Sequence, residues 1–108
     1  MGFEIENGVL IKYTEEPGVT EVVIPNGVTS IGNFAFFKCN TINSIIISDC
    51  VIKIGVGAFR ECKYLMSVVI GNNVKIIGDY AFSWCKSISS LCGRIYQIGK
   101  VRITLESH

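Results

Sequence analysis

Cysteine is the residue type in this 108-residue sequence with the widest range of chemistry. The five cysteines are Cys39, Cys50, Cys62, Cys85 and Cys92. A thiol can bond a second thiol, bind zinc, or act as a nucleophile beside a base. The sequence has no C-x-x-C pair, and its only histidine, His108, stands at the last position. Because local zinc ligands and an internal base are both missing, we expect no catalytic, cofactor-binding or metal-binding residues.

Three of the cysteines recur at a spacing of 23 residues, and much of the sequence recurs with them. The positions in register are Val22, Ile45 and Val68; Ile24, Ile47 and Ile70; Val28, Val51 and Val74; Ile31-Gly32, Ile54-Gly55 and Ile77-Gly78; Ala35-Phe36, Ala58-Phe59 and Ala81-Phe82; and Cys39, Cys62 and Cys85. A cysteine inside such a pattern is most simply explained as a small apolar residue of the core. We therefore predict a buried ladder of the three repeated cysteines, whereas Cys50, in a predicted turn, is accessible.

Each 23-residue unit combines two extended pieces with one tight turn region. In the first unit, spaced β-branched residues predict a short strand that ends at Pro25-Asn26-Gly27. VTSIG and its copies VIKIG and VKIIG predict a second extended piece, which a glycine ends. The Ala-Phe pair, with a cysteine three residues later, suits a single helical or 3-10 turn. Units stacked at a strand spacing of about 4.8 Å would bury ladders of equal positions, and about three units are needed for stability.

The repeats indicate a single domain that covers residues 1–108. Its predicted parts are an N-terminal hairpin and loop (3–18), three full repeats (19–41, 42–64 and 65–87) and a degenerate repeat with a cap (88–108). Asn7-Gly8 supplies the two-residue turn of the hairpin. Residues 101–105, VRITL, alternate apolar and polar side chains and are predicted to form a final strand over the open end.

Composition and charge argue against two classes of partner. Ten basic and nine acidic residues leave a net charge of +1, so no general attraction to nucleic acid or to an anionic membrane is expected. No apolar run approaches the roughly 18–20 residues that span a bilayer, so we expect no membrane insertion. The start of the sequence also lacks the basic and apolar regions of a signal peptide. The sequence therefore predicts a soluble domain.

The repeated positions resemble those of a known family, the BspA-like class of bacterial leucine-rich repeats. The unit of that family reads roughly L-x-x-I-x-I-P-x-x-V-x-x-I-G-x-x-A-F-x-x-C, and residues 19–88 follow it closely. Ser48 and Gly71 replace the proline, and Val19 and Ile42 replace the leucine, which preserves turn character or volume. The resemblance implies an α/β repeat fold: a β-rich leucine-rich-repeat solenoid with short helical or 3-10 turns, an N-terminal hairpin and a C-terminal cap strand.

The same resemblance carries an expectation about function. Proteins of this kind are bacterial cell-surface or secreted adhesins, whose repeats contact host extracellular matrix proteins or other cells. The resemblance therefore implies a non-catalytic binding module with a protein partner and an extracellular or cell-surface location. Two alternatives stay open: a structural spacer in a longer surface stalk, and a small thiol-dependent redox protein. The redox protein requires an accessible thiol with a lowered pKa.

Strand alternation places one set of side chains on the outside of the first strand of each repeat. With Val22 and Ile24 pointing inward, one outward row is apolar and a neighbouring row is small and polar. The candidate protein-binding residues on this concave face are Glu21, Val23, Ser44, Ile46, Met66, Ser67 and Val69. An apolar row beside hydroxyl groups can receive a protein or peptide surface. The preference of β-branched residues for strands explains the same row without a partner, so both interpretations stay open.

Overall fold

Nine short strands follow one another in the computed structural model, which describes residues 2–88 and 90–92. They are β1 (Phe3–Glu6), β2 (Val9–Tyr13), β3 (Glu21–Val23), β4 (Ser30–Ile31), β5 (Ser44–Ile46), β6 (Lys53–Ile54), β7 (Ser67–Val69), β8 (Ile76–Ile77) and β9 (Ser90–Cys92). The first sheet has the order β1-β2-β4-β6-β8, and the second sheet has the order β3-β5-β7-β9. From β3 onward, successive strands alternate between the two sheets. Each coil of the chain therefore contributes one strand to each sheet, and the described residues form a β-solenoid of about three coils.

Strand pairing along the solenoid keeps the 23-residue spacing of the sequence. In the second sheet, Val22 pairs in parallel with Ile45, and Ile45 pairs with Val68. In the first sheet, Ile31 pairs in parallel with Ile54. All five side chains are buried. Because equal positions stack, each coil buries its apolar residues against its neighbours, which confirms the predicted ladders.

Aromatic rings form one of these ladders through the centre of the solenoid. Phe36 and Phe59 stack with ring centroids 4.8 Å apart, and Phe59 and Phe82 stack at 5.2 Å. Tyr13 extends the ladder into the N-terminal hairpin, because its ring stacks on Phe36 at 5.0 Å. The hairpin thus shares the core of the repeats instead of lying apart from it.

The N-terminal hairpin pairs β1 with β2 in antiparallel fashion, where the sequence predicted a hairpin. Asn7 and Gly8 form its turn with φ angles of 51° and 79°. Two positive φ angles in a row define the type I′ turn, whose twist matches that of the flanking strands. β2 also pairs in parallel with β4, with Leu10 beside Ile31. The hairpin therefore supplies the first strands of the first sheet.

The segment after each corner glycine is a run of turns, so the helical or 3-10 turn that the sequence predicted is not confirmed. In the first coil, the amides of Ala35 and Phe37 donate to carbonyl groups three residues back. The amides of Phe34 and Phe36 donate instead to carbonyl groups of the next coil, at 2.9 and 2.7 Å. A helix directs every amide along its own axis, whereas these amides alternate between the same coil and the next one. No helix occurs in the described residues; the predicted β-solenoid is confirmed and its helical part is not.

Glycine recurs at the coil corners because backbones of neighbouring coils approach closely there. A Cβ atom on Gly55 would lie 2.6 Å from the Asn33 side chain and 2.8 Å from the carbonyl carbon of Gly32. A Cβ atom on Gly78 would lie 2.5 Å from the amide nitrogen of Val56. Any larger residue would push the coils apart, so the repeated glycine sets the contact distance between them.

The last described strand, β9, adds a fourth strand to the second sheet. It pairs in parallel with β7, with Leu91 beside Val68, as the repeat spacing predicted. The predicted cap strand at 101–105 lies outside the described residues. The division of residues 1–108 into one domain with these parts stays a prediction.

Candidate functional site

The candidate binding face is the outer face of the second sheet, which we define as the side of β3, β5 and β7 that points away from the core. On β3, Val22 is buried, whereas Glu21 and Val23 are exposed. On β5 and β7 the equivalent central residues, Ile45 and Val68, are buried in the same way. The three strands therefore carry the predicted alternation, and their flanking side chains share one face.

An apolar row crosses this face along the direction of the solenoid. Val23, Ile46 and Val69 lie side by side in adjacent parallel strands. Val23 is 55% exposed, Val69 is 39% exposed, and Ile46 is half-buried between them. Met66, 48% exposed, precedes β7, and its amide donates to the carbonyl of Asn43 at 2.8 Å. The apolar row is continuous because every coil places a β-branched side chain at the same position.

A polar row runs beside the apolar one. Glu21, Ser44 and Ser67 lie side by side, with Glu21 exposed and both serines half-buried. The Ser44 amide donates to the carbonyl of Thr20, and the Ser67 amide donates to that of Asn43, each at 3.2 Å. Among the described residues of the two rows, Glu21 carries the one ionisable side chain. The face therefore offers apolar area and hydroxyl groups with little charge, which suits noncovalent recognition of another surface.

The three repeated cysteines form the buried ladder that the sequence predicted. The Cys62 thiol donates to the carbonyl oxygen of Phe36 at 3.1 Å, and the Cys85 thiol donates to that of Phe59 at 2.9 Å. Each acceptor belongs to the preceding coil. The thiols thus link neighbouring coils, and Cys39 occupies the equivalent buried position in the first coil.

The surroundings of Cys62 oppose formation of a thiolate. Hydrogen bonds with the thiols of Cys39 and Cys85, followed by burial, raise the pKa of the Cys62 thiol above its ordinary value. Because the thiolate is the nucleophile, the Cys62 thiol is not arranged for covalent chemistry. The hydrogen bond with Cys62 lowers the pKa of the Cys85 thiol, but that thiol is buried. Among Cys39, Cys50, Cys62 and Cys85, Cys50 is the exposed thiol, as predicted. Within residues 2–88 and 90–92, no group of three or more His, Cys, Asp or Glu side chains could hold a metal ion.

A second exposed cluster, which we call the turn cluster, was not identified from the sequence. It lies on the turns that follow β4, β6 and β8. Phe34 and Phe37 pack edge to face with ring centroids 5.6 Å apart. The Lys38 ammonium lies 5.3 Å from the Phe37 ring centroid, and the Arg60 guanidinium lies 5.5 Å from that of Tyr80. The signal available in the sequence was the presence of large aromatic residues at repeat positions that do not belong to the core pattern.

These features define a class of protein: a β-solenoid of stacked leucine-rich-repeat type, with a buried ladder core and a regular outer face. The chain belongs to the BspA type leucine rich repeat family, whose repeat region matches residues 12–100 in six copies. The resemblance drawn from the sequence is thereby confirmed. Repeats of this family are generally non-enzymatic and mediate protein interactions.

One solved structure extends the comparison. The chain is similar to a leucine rich cell surface protein from Faecalibacterium prausnitzii A2-165, whose crystal structure has been determined at 1.80 Å resolution. The two are 26% identical, and they superpose with a TM-score of 0.63 over 83% of this chain and 29% of that chain. This chain therefore spans less than a third of the length of that protein. No curated protein sequence matches the chain. In the described part of the chain, no helix is long and apolar enough to cross a membrane.

Proposed function

We propose that this chain is a protein-binding module of a bacterial cell-surface protein of the adhesin type. In this proposal the module binds its partner noncovalently through the outer face of the second sheet. The observation that carries the proposal is the apolar row of Val23, Ile46 and Val69, which stays accessible on strands that already bury their central side chains. Membership of a family whose repeats mediate protein interactions supports it, as does the cell-surface description of the similar protein.

The chemistry of the face indicates what kind of partner it would accept. An apolar ridge or an extended segment of a partner would bury the exposed part of the row, at a gain of about 25 cal/mol for each Å² of apolar surface removed from water. The hydroxyl groups of Ser44 and Ser67 would then pair with polar groups at the rim of that contact. Host extracellular matrix proteins and proteins of another cell surface are the proposed partners, and an extracellular or cell-surface location is the proposed setting.

The test is a binding panel with two matched variants. The purified chain is assayed against extracellular matrix proteins, serum proteins and glycans, beside the variant Ile46→Glu/Val69→Glu. The control variant Ile52→Glu/Ile76→Glu places the same two substitutions at exposed positions, one immediately before β6 and one on β8, which are 45% and 51% exposed. Circular dichroism confirms that all three proteins are folded. We expect a protein ligand whose binding the first variant abolishes and the control keeps, because buried carboxylates would be left without partners.

The other outcomes separate the alternatives. A ligand that both variants still bind would move recognition away from the outer face, and the turn cluster would be the next surface to test. A chain that binds nothing in the panel would favour the structural spacer. Fast covalent labelling of a native core thiol would favour the thiol-dependent redox protein.

A further inference from the structure

The second sheet ends at β3, beside which no described strand lies. The hydrogen bonds around β3 show which of its backbone groups already have partners. The carbonyl of Thr20 accepts from the amide of Ser44 at 3.2 Å, and the amide of Ile24 donates to the carbonyl of Ile46 at 2.9 Å. The N–H and C=O groups of a strand alternate sides with a period of two. The backbone groups of the even-numbered residues of β3 and its flanks therefore point to β5.

The backbone N–H and C=O groups of the odd-numbered residues consequently point to the open edge of the sheet. Glu21 and Val23 direct their amide and carbonyl groups away from β5, toward the place where a preceding strand would lie. Ser44 and Ile46, one coil further on, occupy the equivalent positions and use the same groups to pair with β3. The edge of β3 therefore presents two N–H and two C=O groups in the arrangement that an added strand needs.

A groove of about 150 Å³ runs along this edge. Besides β3, its lining consists of Phe3, Tyr13, Glu16 and Val19 from the hairpin and the loop that follows it. The volume is below the roughly 300 Å³ of the smallest usual ligand pockets but accommodates one or two side chains. Apolar walls with the carboxylates of Glu16 and Glu21 beside them suit a strand that carries both apolar and basic residues.

Charge complementarity identifies a segment of suitable sequence within the chain itself. Residues 1–23 contain five acidic residues and one basic residue. Residues 94–105, RIYQIGKVRITL, contain three basic residues and no acidic one, and their last part alternates apolar and polar side chains. This segment follows β9, which lies at the opposite end of the second sheet from β3. A second copy is therefore able to present its basic segment to the acidic edge of the first.

We propose that the β3 edge binds residues 94–105 of a second copy of this chain as an added strand, so that molecules associate head to tail. The inference goes beyond the proposed function, because it uses the backbone edge of β3 and the groove beside it; Glu21 belongs both to this groove and to the polar row of the outer face. A head-to-tail contact joins two different surfaces, so it leaves one acceptor edge and one donor segment free on every pair, and the assembly grows with concentration.

The first experiment measures the mass of the full chain by analytical ultracentrifugation over a wide range of concentration. In low salt we expect the average mass to rise with concentration, and about 0.5 M NaCl should weaken the association about tenfold by screening the carboxylate contacts. A single-chain mass at every concentration in low salt would overturn the proposal. An association that salt leaves unchanged would overturn the charge pairing that identifies the segment.

Paired charge-reversal variants then locate the contact. Glu16→Lys/Glu21→Lys changes two exposed side chains of the groove, whereas Glu4→Lys/Glu6→Lys makes the same change of net charge on β1, outside the groove lining. We expect the groove variant to associate about tenfold more weakly and the β1 variant to stay within about threefold of the parent chain. Equal weakening in both would reduce the contact to general charge attraction and refute the proposed site.

A synthetic peptide of residues 94–105 tests backbone pairing on the unmodified protein. One version is N-methylated at residues 101, 103 and 105, and another at 100, 102 and 104, so each lacks the N–H groups of a single edge. The unmethylated peptide should bind and inhibit self-association, and one methylated version should lose affinity at least about tenfold while the other keeps it. Absence of any difference between the two methylated peptides would contradict strand addition.

Discussion

Replacing Phe59 by alanine removes the central ring of the aromatic ladder. Phe59 is fully buried in the middle coil and stacks on Phe36 at 4.8 Å and on Phe82 at 5.2 Å. Its amide and that of Phe36 hold the coils together on both sides of the ring. The coils therefore cannot close the space that Phe59→Ala would leave without giving up backbone hydrogen bonds.

The expected cost follows from that environment. Deletion of a buried phenylalanine side chain costs about 3–5 kcal/mol, through lost transfer free energy and the cavity left behind. That cost already includes lost ring stacking, which is worth about 0.5–1.5 kcal/mol for each pair, and Phe59→Ala breaks two pairs. The rigid backbone spacing limits collapse of the cavity, so we expect a loss of about 4–5 kcal/mol. That is a large share of the roughly 5–15 kcal/mol that stabilises a domain of this size.

Urea unfolding followed by circular dichroism measures this cost, and Phe37→Ala provides the matched control. Phe37 undergoes the same truncation but is 39% exposed and packs against surface residues, so we expect its loss to stay below about 1 kcal/mol. Phe59→Leu, which keeps much of the side-chain volume, should cost about 1.5 kcal/mol. If Phe59→Ala proved no more costly than Phe37→Ala, the central ladder would not be the source of stability that its burial indicates.

Two further predictions concern the coil corners and the thiols. Gly55→Ala should destabilise the fold by about 1–3 kcal/mol, because the new Cβ would meet the preceding coil, and an unchanged urea midpoint would contradict that contact. Alkylation by iodoacetamide with peptide mapping should label Cys50 rapidly and Cys62 at least about a hundredfold more slowly, because Cys62 is buried and its raised pKa keeps the thiol protonated. In urea the two rates should converge, whereas rapid labelling of native Cys62 would refute the buried ladder.

Repetition made the core of this protein predictable from its sequence. Equal residues at equal spacing indicated that Cys62 and Phe59 have partners above and below them, and this inference needed no knowledge of the local backbone. The outward positions of Glu21 and Val23 followed in the same way from strand alternation. Both predictions depend on the spacing at which residue types recur, and a sequence shows that spacing directly.

Features that depend on competition between coils could not be predicted in this way. The spacing from Phe36 to Cys39 suits a helical turn when the segment is considered alone. In the fold, the Phe36 amide donates its hydrogen bond to a carbonyl group of the next coil, and Phe34 adopts a left-handed conformation with a φ angle of 58°. The contact between Arg60 and Tyr80 in the turn cluster joins two coils, and the groove beside β3 lies between that strand and the hairpin and loop before it. Neither belongs to any repeated pattern that a single unit shows.

The alternating amides of the turns have a consequence for how this protein family can change in length. Phe34 and Phe36 of the first coil donate to the second coil, and Gly57 and Phe59 of the second coil donate in the same manner to the third. Within the turns, each coil thus directs amide donors to the next coil and carbonyl acceptors to the preceding one. Duplication or loss of one complete 23-residue repeat would restore every contact between coils. Insertion of a single residue would instead misalign the contacts of its coil with both neighbouring coils. Stepwise growth and shrinkage by whole units is therefore the length change that this architecture tolerates best.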